Sequence, residues 1–530
     1  MGRGTAGKVP TFGAVPRVDI PRSTFDRSHR HLTTMDADYL VPILCDPVLP
    51  GDSYSVMLNI FARLATPLFP IMDNMYLDTF FFFVPNRLVW DNWEKFCGAQ
   101  DDPADSIDFT IPVAGASTGL AMTGGAADQL KLYMGLPPGT VDLSTISALP
   151  FRGYNLIYNE WFRDQNLQDS LTVDTGNGPD THSNYALVKR GKRHDYFTSC
   201  LPWPQKQTTA VELPIGGTVD VRHGGTESET VVVYSVGESD YRELYAPSPV
   251  PSDILVDTNA GADQNHKLYV DLTTTTSAVD INDFRLAYAT QRLLERDARS
   301  GTRYVETVLA HYGVTVPDFR VQRPEYLGGG SSPVNVTPVA QTTYQGTPTD
   351  EDAKGALAGF GTVSGSHGFT KSFVEHGYII GLANVRADIT YSQGVDRDWT
   401  KSTRYDIYYP VLAGISEQSV LAGEIYNAAA SKTAVFGYQE RHAEYRYKNS
   451  RLSGLMAVDE ATNLAPWHLS EDFASEPVLN AAFIESNLGT PLDRAIAVNT
   501  EPHFICDFYF QMKCARPMPT FGIPGNLDRF

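Results

Sequence analysis

The chain has 530 residues, 42% hydrophobic and 20% charged, with a formal net charge of −20. That composition lies within globular norms, speaks for a folded chain, and makes the surface as a whole a poor nucleic-acid binder, because phosphate attraction needs clustered Lys and Arg. The 27 Tyr and 26 Phe, with 43 Gly and 34 Pro as turn formers, favour short strands joined by loops and so a mainly β core.

Five cysteines, Cys45, Cys97, Cys200, Cys506 and Cys514, are scattered and odd in number, which fits neither a disulfide framework nor a zinc site. The N-terminus lacks an apolar signal region and no run approaches the roughly 18 apolar residues of a membrane span. A soluble protein, folded in a reducing cytoplasm and not inserted in a membrane, is expected.

Residues 1–34 reverse the overall sign: Arg3, Lys8, Arg17, Arg22, Arg27 and Arg30 stand against Asp19 and Asp26, a net of +4. With three prolines, four glycines and no apolar period, this reads as an extended basic arm, either a frayed terminus or a binding arm, and not a packed element.

From Tyr39 to Val84 the runs YLVPILCDPVLPGDSYSVMLNIFARL and MYLDTFFFFVPNRLVW predict the first core strands. Side chains alternate along a strand, so Phe80, Phe81, Phe82 and Phe83 require cover on both faces. Short helices are predicted over 91–97 and 155–167, where Trp and other apolar residues recur three or four apart.

Between Val211 and Asp280 there are twelve acidic residues against Arg222, Arg242 and Lys267, a net of −9. Strand-like VVVYSV near Val231, the PSPVPS cluster from Pro247 to Ser252 and TTTT at Thr273 mark an exposed acidic insertion. Asp280 then caps a helix whose apolar stripe is Ile281, Phe284, Ala287, Tyr288 and Leu294. A second helix carries Val305, Val308, Leu309 and Tyr312 and stops at Gly313.

Strand signals return in KSFVEHGYIIGLANVRADITYS, RYDIYYPVLA, AVFGYQERHAEYRYK and HFICDFYFQMKCARPMP. Strands at both ends of the chain suit a Greek-key or jelly-roll topology better than a meander.

Motifs for chemistry are missing. No G-x-x-x-x-G-K-[ST] phosphate loop occurs, and LGGGSSP at Leu327 to Pro333 lacks the lysine. That run reads first as a tight surface loop using positive φ at Gly328 to Gly330, then as an anion site or a switch at subunit contacts. RSHRH around His29 and His31, and His442, form no metal-ligand spacing, and HExxH does not appear. Carboxylate pairs such as Glu227 with Glu229 and Glu440 with Glu444 read as solvated surface charge. No catalytic, cofactor or metal residues are assigned, and no enzyme activity is expected. Two basic clusters with aromatics, Lys189 to Phe197 and Arg292 to Tyr304, suit single-strand contact. The second mixes Glu295 and Asp297 among its arginines, which favours an intersubunit contact.

The segments MYLDTFFFFVPNRLVWDNWEKFCG, YNLIYNEWFRDQNLQD, KRHDYFTSCLPWPQ, LLERDARSGTRYVE, QRPEYLGGGSSPVNVTPVAQT, FGYQERHAEYRYK and CARPMPTFGIPGNLD together resemble the major capsid proteins of the gokushovirus group of Microviridae. The resemblance runs from near residue 30 to the C-terminus and lapses over the acidic insertion. It implies an eight-stranded antiparallel jelly-roll barrel with long interstrand insertions and a few helices. It further implies a T=1 icosahedral shell around circular single-stranded DNA, with the insertion forming a protrusion at the threefold axes.

The expected organisation is a basic arm at 1–34, a first barrel part with helical insertions at 35–210, the acidic insertion at 211–280, and helices, long loops and the remaining strands at 281–530. Arg17, Arg22, Arg27 and Arg30 are the candidates for contact with packaged DNA on the inner face, through phosphate and without reading sequence. Trp161, Trp203, Arg292, Arg299, Tyr326 and Arg516 are candidates for contacts between copies of the chain. Tyr234, Tyr241, Tyr245 and Tyr269 are candidates for a receptor-facing surface on the insertion, which otherwise serves as a solubilising decoration. Partners implied by the resemblance are a small basic DNA-binding protein, scaffold and pilot proteins of the phage and a bacterial surface receptor, with the virion, assembled in the bacterial cytoplasm, as the location. The alternatives are a β-rich carbohydrate-binding protein or glycan hydrolase, and, less well matched to the charge, a single-strand-binding protein.

Overall fold

The structure is a computed structural model that describes residues 21–115, 119–121, 125–206, 221–223, 231–235, 240–245, 255–256, 268–270, 281–299, 304–313, 322–342, 357–458 and 462–521. The chain divides into two compact units: Met1–Pro204 with Val314–Phe530, and Gln205–Gly313. The second unit is therefore wider than the acidic insertion and takes in the two helices that follow it. None of the described helices is long and apolar enough to cross a membrane.

In chain order the first strands are β1 (Ser23–Asp26), β2 (His29–Met35), β3 (Val41–Val48), β4 (Ser53–Leu64) and β5 (Met75–Pro85). The second unit contributes β6 (Val221–His223), β7 (Val231–Ser235), β8 (Asp240–Tyr245), β9 (Leu255–Val256) and β10 (Leu268–Val270). The first unit resumes with β11 (Glu325–Ala340), β12 (Leu357–Ser372), β13 (Gly377–Ala387), β14 (Glu417–Leu421), β15 (Val435–Glu440) and β16 (Phe504–Arg516).

One antiparallel sheet in the order β1–β16–β4–β12–β11–β5–β13–β3 organises the first unit, with β2 continuing the β1 edge along β16. It has the eight strand positions that the resemblance implied. Sequence neighbours such as β3 and β4 lie far apart in this order, and the last long strand pairs with the first ones, so the pattern is a crossing jelly-roll type and not a meander.

The sheet curls round its own core. Phe81 on β5 and Phe510 on β16 are four positions apart in the sheet, yet their rings meet at 6.5 Å, and Phe81 also packs on Phe369 at 5.2 Å. Strand β4 shows why it takes this form: Tyr54, Val56, Leu58, Ile60, Ala62 and Leu64 alternate inward while Ser55, Met57, Phe61 and Arg63 point out.

The phenylalanine run is covered on both faces, as its alternation demanded. Phe81 and Phe83 face the interior of the curl, where Phe83 packs on Phe373. Phe80 and Phe82 face the opposite way onto Phe162. Phe162 ends an insertion that is α-helical over Leu149–Ile157 and widens into a π-turn over Tyr158–Phe162. This helix starts earlier and ends sooner than the sequence predicted, and the stretch 91–97 shrinks to one turn at Trp93–Phe96.

Two expectations are corrected. The basic arm, from Ser23 on, is packed: β1 and β2 are hydrogen-bonded to β16 with registers Phe25↔Cys514 and Leu32↔Asp507. The partner strand is some 480 residues away along the chain, which no local pattern reveals. The glycine run Gly328–Gly330 is not a surface loop but lies within the first half of β11, paired with Phe81, Phe80 and Thr79 of β5. A Cβ on Gly330 would sit 2.4 Å from the His367 ring, and one on Gly329 would sit 2.0 Å from the Thr79 carbonyl oxygen, so the glycines serve close approach.

A second, smaller core gathers Tyr196, Phe197, Val420, Ile425, Phe436 and Phe483 beside the β14–β15 pair. In the second unit β7–β8–β9 form one small sheet, β10 pairs with β6, and helices run over Ile281–Arg299 and Tyr304–Tyr312. The PSPVPS and TTTT segments lie outside the described residues.

Candidate assembly and nucleic-acid surfaces

The two edges of the curled sheet face each other across a seam. Edge strand β3 carries Pro42 and Pro47, which cannot donate ladder hydrogen bonds and so protect it from further pairing. Side chains bridge the seam instead. Arg27, between β1 and β2, gives two hydrogen bonds to the Asp46 carboxylate at 2.5 and 2.7 Å and a third to the Tyr54 hydroxyl. Arg516 donates to Asp52, to the Pro47 carbonyl and to Tyr54. Further along, the seam opens into a groove of about 480 Å³ lined by His29, His31, Ile43, Cys45, Asp46, Tyr133 and Met512.

These contacts place several candidates. Arg30 is exposed and lies in a bidentate pair with Asp507 at 2.7 Å. Arg22 donates to the Gly51 and Ala515 carbonyls and to Ser53. Arg17 lies outside the described residues. Arg27 and Arg516 each spend three hydrogen bonds on the seam.

Trp161 and Tyr326 come together. Their rings are 6.0 Å apart and both pack on Phe82. The indole of Trp161 donates to the Pro324 carbonyl at 2.8 Å, and Arg323 lies over its face at 4.9 Å. Both rings keep more than a third of their surface exposed, so this is a rigid aromatic ledge of the kind that anchors interfaces. Trp203 is largely covered, and its buried indole N–H has no hydrogen-bond partner among the described residues. In the second unit Arg292 and Arg299 stand exposed on the long helix, along with Ile281, Phe284, Leu286 and Tyr288. On the small sheets Tyr234 and Tyr241 are register partners, Tyr245 stands opposite Leu255 and Tyr269 opposite Arg222.

The basic cluster from Lys189 to Phe197 turns inward. Arg190 pairs with Asp78 at 2.7 Å and stacks on Phe80, Lys192 pairs with Glu471, and Arg193 pairs with Asp388. Burial and the neighbouring Arg386 bring the Arg190 guanidinium down to about 10. Burial pushes Asp78 up, but hydrogen bonds from Ser331 and Arg190 and the charges of Arg190 and Arg386 outweigh it and hold this carboxyl below its ordinary range. These are structural pairs between the sheet and the chain that crosses it.

Two exposed surfaces have no counterpart among the sequence candidates. Leu32, Met57, Phe61, Ile505 and Tyr509 form an apolar outer face on β2, β4 and β16. Residues 399–415 expose Trp399, Tyr405, Ile407, Tyr408, Tyr409, Val411 and Ile415. Within this stretch RYDIYYPVLA, expected as a strand, forms only single turns at Arg404–Asp406 and Pro410–Leu412. An apolar run of this kind signals burial but does not say in which molecule.

A curled β-sheet scaffold whose polar clusters brace its own packing, and which leaves apolar faces exposed, fits a structural assembly protein. Comparison with known proteins gives the particular one. The chain belongs to the family described as "Capsid protein (F protein)", which matches residues 13–526. It is 43% identical to Capsid protein VP1 of Bdellovibrio phage phiMH2K over 98% of both chains. It is 39% identical to Capsid protein VP1 of Chlamydia phage 1, over 97% of both, and 34% identical to Capsid protein VP1 of Spiroplasma virus 4, over 98% of both. It is thus a Microviridae capsid protein of the gokushovirus type, a structural component of the virion and not an enzyme.

Proposed function

We propose that the chain assembles with copies of itself into a T=1 icosahedral shell enclosing circular single-stranded DNA. The observation that carries this reading is the end-to-end match to capsid proteins joined to a single-chain scaffold with large exposed apolar faces. In this reading the residues up to Arg22, with Arg17, Arg22 and Arg30, face the packaged strand and neutralise phosphate without reading bases. A small basic DNA-binding protein and the scaffold and pilot proteins of the phage complete the assembly.

The acidic insertion 211–280 forms the protrusion at the threefold axes and is the surface offered to a bacterial receptor. Its support is a net −9 over a segment rich in Tyr, including Tyr234, Tyr241, Tyr245 and Tyr269. Deleting 211–280 tests it: nuclease-resistant particles still form, while their adsorption to host cells falls at least about tenfold, a loss of ~1.4 kcal/mol in binding. Unchanged adsorption would assign attachment elsewhere and leave the insertion a decoration.

A further inference from the structure

We propose that the aromatic surface carried by residues 399–411 and 441–451 docks, head to tail, on the acidic loop 97–111 of a second copy of this chain. The inference rests on the capsid reading and names the surfaces through which neighbouring subunits meet.

The first surface is unusual in what it leaves in water. Val411 is 89% exposed, Trp399 78% and Tyr405 64%, with Ile407, Tyr408, Tyr409, Tyr445 and Tyr447 also open. It is held in shape and not slack. The Tyr408 ring packs edge-on to buried His442 at 5.5 Å, Lys401 sits 3.8 Å above the Tyr445 ring, and Arg441 donates to the Tyr405 carbonyl. Arg404 lies over both Tyr405 and Tyr409. Preformed aromatic and arginine surface is what protein interfaces enrich, because it buries area at small entropic cost.

The residue types choose between a protein and a DNA strand. Base stacking uses rings and cations, but Ile407, Val411 and Ile415 add aliphatic surface that nucleotides do not match. Several cations are also neutralised locally: Lys448 pairs with Asp396, Arg446 with Glu440 and Lys401 with Asp398.

Charge then selects the face it meets. With Lys401, Arg446 and Lys448 paired to Asp398, Glu440 and Asp396, the excess rests on Arg404, Arg441 and Arg451, which meet no carboxylate among the described residues. Facing its own copy, this excess would repel. The loop 97–111 has the opposite character: Asp101, Asp102, Asp105 and Asp108 with no Lys or Arg, and exposed Ile107 and Ile111 beside them. Lys95 serves Asp105 and, more distantly, Asp101, whereas Asp102 and Asp108 meet no cation among the described residues. The loop is anchored through Trp93 and Phe96 to the main core, while the aromatic surface is built on the smaller core around Phe197, Val420 and Ala443. One chain therefore offers both faces at once, as a ring of head-to-tail contacts requires.

The test uses the full chain expressed with the other structural proteins of its phage, with sedimentation and negative-stain microscopy as readout. Arg404→Glu with Arg451→Glu, and separately Asp102→Lys with Asp108→Lys, are expected to cut particle yield at least about tenfold, and all four changes in one chain to restore it to within about threefold. Wild-type yield from either pair, or no recovery in the fourfold variant, overturns the contact while leaving the capsid reading intact. Failure of the wild-type chain to form any particle overturns both. Because a reversal can also disturb folding, radical footprinting of the wild type gives a second measure: Trp399, Tyr405 and Tyr409 are expected to react in the free subunit and to be protected in empty particles. Equal reactivity in both, or protection only when single-stranded DNA is added, overturns the proposal.

Discussion

At the scale of single residues, the structure is most sensitive where close packing and buried charge coincide. Gly330 faces the His367 ring, whose nitrogens bond to Thr79 at 2.7 Å and Ser332 at 3.0 Å. Gly330→Ala must displace that ring, and a loss of about 2–3 kcal/mol is expected in denaturant unfolding, or the complete failure of soluble expression. Arg152 and Asp180 have no side-chain exposure and are joined by bonds of 2.6 and 2.8 Å, with Arg152 also donating to the Val89 and Gly176 carbonyls. Arg152→Met strands the Asp180 charge and is expected to cost about 3–5 kcal/mol by the same measurement. The glycine run shows why such sites escape sequence reading. Three glycines signal a loop locally, and only the neighbours on β5 and β12 reveal that they are there to admit His367 and Thr79.

At the scale of elements, the alternation of β4, the double-sided demand of Phe80 to Phe83 and the final strand at Phe504–Arg516 were legible, because period two is a local property of the chain. The pairing of β1 and β2 with β16 was not. Their charge and proline content read as an arm, and the seam contacts of Arg27 and Arg516 depend on residues that meet only after the sheet has curled. Arg27→Ala leaves the nearly buried Asp46 carboxylate without its guanidinium, and a loss of about 1–3 kcal/mol is expected. Asp46→Asn with Arg27→Ala should be milder than Arg27→Ala alone, which a double-mutant cycle measures.

The sheet also carries a pH response. Burial lowers His31, His367 and His468 below the ordinary value of 6.5, and burial with the nearby Lys131 charge does the same for His182. The folded chain therefore prefers these rings neutral, while the unfolded chain takes up protons first as pH falls. Their contribution is complete above about 6.5 and declines below it, with the lowered Asp78 adding loss in the same direction at lower pH. Unfolding midpoints should fall between pH 7.5 and 5.5, and His367→Gln should flatten that fall. A pH-independent midpoint would contradict the burial of these rings.

At the scale of the whole molecule, the outward aromatic and aliphatic faces make sense only in an assembly. The sequence resemblance already named the family, the fold class and the virion, while composition alone left a lectin or hydrolase open. Of the residues named as contacts, Trp161 and Tyr326 lie together on one exposed ledge, and Arg516 donates across the seam. The stretch Tyr405 to Val411 was misread as a strand because its burial belongs to another copy of the chain in the arrangement proposed above.

A capsid protein of this kind must close a shell through these surfaces. Negative-stain microscopy with particle mass determination, on the chain expressed with its companion phage proteins, reads this out. Uniform closed particles containing single-stranded DNA, of a mass that fits sixty copies of the 58.4 kDa chain, about 3.5 MDa of this protein, are the predicted result. Correctly folded chains that remain small soluble oligomers under the same conditions would contradict it.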